Sequence, residues 1–104
     1  MELENFVSRN FKPRDDVEQK AKELIEQELK TVSANGKLKA VIADQGDSFK
    51  ISMVAQADKK IFSSESHHLK SRMIGAPRAW QLDAVRLVLQ DLIRQIKKHL
   101  KLPE

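Results

Sequence analysis

The residues best suited to chemistry lie in the last third of the chain. Arg94, Lys97, Lys98 and Lys101 recur at spacings of three and four, which on a helix places them on one face as a cationic patch. Such a patch suits phosphate, because lysine and arginine offer both positive charge and N–H donors to its oxygens. Cations near a helix C-terminus also complement the helix dipole, so the pattern alone fits either role. Two features tilt it toward a polyanion. Four cations exceed what a helix end needs, and almost no carboxylates are interspersed among them. Arg78 and Arg86 lie upstream on the same segment, and Lys70 and Arg72 precede it.

Other chemistries find less support. His67 and His68 are adjacent, so they point in different directions, and His99 is too distant in sequence to complete a metal-ligand spacing. They read as a loop pair, solvated or touching phosphate, and not as a metal site. With no cysteine in the chain, disulfides, thiol nucleophiles and cysteine-based zinc sites are excluded. Serine, histidine and aspartate occur without a G-x-S-x-G elbow, and the three glycines are scattered singly, so neither a nucleophile site nor a phosphate loop is expected. No catalytic residue, cofactor or small-molecule substrate is predicted. Phe49 and Phe62 could be imagined stacking bases, but the aromatic–glycine signature of an RNA-recognition sheet is missing, and Phe49 shares its face with Ile51 and Met53. Core is the better reading for Phe49, and a packing anchor the better one for Trp80.

The composition sets the frame for these residues. The chain has 104 residues, 40% apolar and 33% charged, enough for one domain with a modest core under a solvated surface. Of the net charge of +4, residues 1–66 contribute −1 and residues 67–104 contribute +5. This asymmetry points to a polyanion-binding surface in the last third. No apolar run approaches the roughly 20 residues of a membrane span. Met1 is followed by Glu2 and Glu4 and not by a secretory signal, so a cytoplasmic protein is expected.

The elements that must position the cations follow from periodicity. Phe6 and Val7, with Phe11 beyond Ser8-Arg9-Asn10, predict a short strand and a turn, and Pro13 suits the first turn of a helix. Val17, Ala21, Leu24, Ile25, Leu29 and Val32 form one apolar helix face to about Val32, with Asn35-Gly36 as its stop. Leu38–Ala43, Phe49–Gln56 and Lys60–Ser64 predict three strands of a meander, joined by turns at 44–48 and Asp58-Lys59. Residues 65–76 read as a polar loop insertion. From Pro77 a second helix carries Leu82, Val85, Leu89, Leu92, Ile93, Ile96 and Leu100 as a continuous apolar stripe. The predicted class is α+β, a single domain over 1–104 in the order β-α-β-β-β-α. Two helices would pack on one face of a four-stranded sheet, a layout like that of double-stranded-RNA-binding domains.

That order, the opening Phe6-Val7-Ser8-Arg9-Asn10-Phe11 and the closing Arg94-Gln95-Ile96-Lys97-Lys98-His99 resemble the ribosome hibernation-promoting factors. These are also known as ribosome-associated inhibitors and sigma-54 modulation proteins. The resemblance spans nearly the whole chain. It implies binding to the small ribosomal subunit, in the channel where mRNA and tRNA would lie, with Arg94, Lys98 and His99 matching the basic helix end that faces rRNA. Lys97 and Lys101 add charge beside that match. Three departures stand out. Glu23, Glu26 and Glu28 occupy a first helix that is lysine-bearing in the family. Trp80 and Leu82 replace an acidic and aromatic pair, and His67–Ala79 looks like an insertion bringing Lys70, Arg72 and Arg78. The chain ends at Glu104, so a short form, monomeric away from the ribosome, is expected. Two other readings stay open: a double-stranded-RNA module, and a protein-interaction domain whose basic helix docks an acidic partner. The first strand and the concentration of charge on one helix weigh against the former.

Overall fold

The computed structural model describes residues 1–10, 15–69 and 77–101. Its elements are β1 (Glu2–Arg9), α1 (Asp15–Leu29), β2 (Gly36–Asp44), β3 (Ser48–Ala57), β4 (Lys60–Leu69) and α2 (Pro77–Leu100). The predicted order and α+β class are the observed ones. The sheet runs β1-β2-β3-β4, with β1 parallel to β2 and the remaining pairs antiparallel. Parallel neighbours cannot be joined by a tight turn, and α1 is the crossover that links them. Both helices therefore run from the β1 C-terminal end of the sheet back to the end where β2 begins.

The core lies between the helices and one face of the sheet. Ile25 and Leu29 of α1 meet Leu38 of β2, Ile51 and Met53 of β3, and Val85, Leu89, Leu92 and Ile96 of α2, all nearly fully buried. Along β3 the alternation is regular: Ile51, Met53, Ala55 and Ala57 are buried, and Val54 takes an outward position in that same period. Phe49 and Phe62 pack against this core from its margin, as the core reading of Phe49 requires.

Four boundaries depart from expectation, each for a local reason. First, β1 begins at Glu2, because a bulge between Leu3 and Asn5 lets Leu3 and Phe6, three apart, both pack on the core. Second, α1 stops at Leu29. Thr31 Oγ1 donates to the Glu28 carbonyl at 2.7 Å, and the amides of Thr31 and Val32 turn back to Glu28 and Leu29, closing the helix before the buried Val32. Third, Gly36 is the first residue of β2 and not a helix stop. A Cβ there would collide with the Gln56 carbonyl oxygen on β3. Fourth, residues 65–69 are not loop but the second half of β4, paired with β3 as far as Ser48–Leu69. The rest of the expected insertion, with Lys70 and Arg72, lies outside the described residues, as do Phe11 and Pro13.

Candidate nucleic-acid interface

The 24 residues of α2, rising about 1.5 Å each, run nearly the full 39 Å of the molecule. Val85, Leu89, Leu92 and Ile96 anchor it on the sheet side, and all are at most 1% exposed. At about 100° per residue, Lys97, Arg94 and Lys98 fan over an arc of about 100° roughly opposite that stripe, and Lys101 follows just past the helix end. Arg94, Lys98 and Lys101 are exposed and Lys97 half-buried. Among the described residues none of the four has an ion-pair partner. Of the expected patch, Arg94, Lys97 and Lys98 share one side of the helix.

The remaining predicted cations are placed differently. Arg86 is exposed about two turns further back, 3.7 Å from the Asp83 carboxylate, an exposed pair that contributes little to stability and partly offsets its charge. His99 turns off the arc toward β4, where its ring meets Phe62 edge-on, with centroids 5.4 Å apart. Arg78 belongs to the first turn of α2, and its side chain, like that of Trp80, lies outside what is described.

The edge of β4 explains why α2 shows its cations in one direction. On the sheet side, Ser64 Oγ donates to Asp91 Oδ2 at 2.7 Å, and Gln95 Nε2 donates to the Ser63 carbonyl at 3.1 Å and to Asp91 at 3.0 Å. These contacts hold the rotation of α2 and cover part of an otherwise open edge strand. On its other side α2 meets the end of α1 in an open groove of about 220 Å³, lined by Glu28, Thr31, Gln90, Ile93, Arg94 and Lys97. Glu28, Thr31 and Gln90 were not legible as site residues. Only the antiparallel and parallel pairings of the sheet bring α1 and α2 side by side.

His67 and His68 fall on opposite faces of β4, the first exposed and the second half-buried. Ser66 Oγ lies 2.8 Å from His68 Nε2. Burial, with a smaller contribution from neighbouring His67, pushes the His68 pKa below its ordinary 6.5. Among the described residues no three His, Cys, Asp or Glu side chains converge as a metal cluster. Among them, too, no helix is long and apolar enough to cross a membrane.

No sequence-family model matches the chain, and no curated protein matches it. Solved structures do. The Thermus thermophilus Protein Y N-terminal domain superposes with a TM-score of 0.69 over 95% of this chain and 99% of its own, at 12% identity. A ribosomal subunit interface protein from Coxiella burnetii gives 0.65 over 97% and 99%, at 10% identity. At these identities the likeness is one of fold. It is the fold that the resemblance to the hibernation-promoting factors implied.

Proposed function

We propose that this protein is a non-enzymatic ribosome-binding factor of the hibernation-promoting kind. It would hold the small ribosomal subunit at the mRNA and tRNA decoding channel through phosphate contacts to rRNA. The observation that carries this reading is the outward arc of Arg94, Lys97 and Lys98, with Lys101 just past the helix end, all without ion-pair partners among the described residues. It sits on a fold shared end to end with a ribosomal subunit interface protein from Coxiella burnetii.

The mechanism is steric and electrostatic. Point charges on a rigid helix recognise the shape and phosphate spacing of folded RNA more than its sequence. A body with its shorter dimensions near 22 Å, seated in the channel, would exclude mRNA and tRNA by volume. Such a factor works where ribosomes are, in the cytoplasm, and preserves idle ribosomes under starvation or stress.

Co-sedimentation with purified small subunits tests the reading. The protein should travel with the subunit at low salt and leave it as salt rises. A protein that stays at the top of the gradient at every salt concentration rules the ribosome out and leaves the alternatives of a double-stranded-RNA module or an acidic protein partner.

A further inference from the structure

We propose that the tip of the β3–β4 hairpin, Lys59 and Lys60 with the adjoining Lys37, is a second phosphate-binding element acting together with the end of α2. The proposal rests on the ribosome-binding reading and extends it to residues on a different part of the chain.

Topology gathers these residues. Because α1 and α2 run the same way, both C-termini arrive at the end of the sheet where β2 starts and β3 turns into β4. The pairings Gly36–Ala57, Lys37–Gln56 and Ala57–Lys60 fix the hairpin tip beside the start of β2. A cavity of about 310 Å³ lined by Ser33, Ala34, Asn35, Asp58 and Leu100 joins the tip to the last turn of α2. The amino group of Met1 reaches the same end, 3.2 Å from the Ala34 carbonyl. Lys37, Lys59, Lys60, Lys98 and Lys101 are all exposed there. Glu2, Glu28 and Asp58 share this end, but among the described residues none forms an ion pair with these lysines. The cations are all lysines, compact point charges suited to phosphate and not to bidentate base reading.

The backbone gives an independent reason. Asp58 and Lys59 have φ of 49° and 64°, and Lys101 has φ of 57°. The first pair forms the hairpin turn, whose second position favours glycine, and Lys101 follows α2 at the position where glycine commonly ends a helix. Lysine stands at both places, against the preference of the backbone. Helix-dipole complementation accounts for Lys101 but not for Lys59, which belongs to no helix. Unfavoured backbone kept for a charged, exposed side chain points to a use for the charge.

The two roles separate experimentally in Lys59→Gly, which relieves the left-handed backbone while removing the charge. Binding to purified small ribosomal subunits is measured across salt concentrations, alongside thermal unfolding. The variant should unfold at the same temperature or higher, yet bind more weakly. Its salt slope should fall by about 1, so that its deficit shrinks about fourfold between about 50 and about 200 mM salt. Lys59→Glu with Lys60→Glu should weaken binding further, whereas Arg9→Glu with Lys20→Glu, the same charge change at the opposite end, should weaken it less. Wild-type affinity and slope in Lys59→Gly overturn the inference. So does weaker binding with an unchanged slope, which would assign the tip to a protein contact. If the wild-type protein itself fails to bind subunits, the ribosome reading falls first, and the two failures are distinguishable.

Discussion

At Gly36 the backbone of β2 passes so close to β3 that the Gln56 carbonyl and the Ala57 Cα occupy the space of a side chain. Gly36→Ala should therefore cost about 1–3 kcal/mol, since both obstacles are backbone and neither can rotate away. Chemical denaturation reads this directly, and a change within about 0.5 kcal/mol would contradict the close approach. His68 provides a second test at this scale. Its pKa is lowered in the folded state, chiefly by burial, so the unfolded chain binds its proton more readily. The sign follows: its neutral form favours folding above the unfolded value of about 6.5, and that advantage is lost as pH falls through this value toward the folded pKa. Unfolding followed from pH 7.5 to 5 should show stability decreasing, less so in His68→Gln. An identical profile in the variant would remove His68 from the account.

The second helix divides its work between two faces, and substitutions on each should fail differently. Leu92 is fully buried among core residues, so Leu92→Ala should cost about 2–5 kcal/mol through lost burial and a cavity. Arg94 and Lys98 are exposed on the opposite side, and their reversal to Glu should change stability by less than about 0.5 kcal/mol. Binding should respond in reverse. The double reversal should abolish co-sedimentation with small subunits at low salt, while Leu92→Ala should bind for as long as it stays folded. If the double reversal sediments like the wild type, α2 is not the contact helix.

For the whole molecule, the shared phosphate surface predicts a collective property. Arg94, Lys97, Lys98 and Lys101, each neutralising one phosphate, should contribute about −3 to −4 to the slope of log affinity against log salt, and lysines of the hairpin tip should steepen it further. A flat response between low and moderate salt would remove the polyanion reading whatever the partner. Occupation of the decoding channel makes a separate demand: small subunits preloaded with mRNA and tRNA should exclude the protein, and the protein should exclude them. Simultaneous stoichiometric binding would refute the channel while leaving ribosome association intact.

Periodicity was enough to locate α2 and the burial of its stripe, because Val85, Leu89, Leu92 and Ile96 repeat at helical spacing and nothing interrupts them. The cationic arc followed from the same spacing. The half of β4 from Glu65 to Leu69 was illegible for the opposite reason. Glu65, Ser66, His67 and His68 carry no apolar alternation, and they are strand because β3 pairs with them. The end of α1 likewise depended on a side chain, Thr31, capping a carbonyl in place of the expected glycine. Lys59 read locally as a turn residue, and its left-handed backbone and the meeting of its neighbour Asp58 with Leu100 at one cavity are outcomes of strand pairing and helix direction. Local spacing decides which face of an element is apolar. Which faces and tips meet is decided by register and crossover, interactions between residues far apart in the chain.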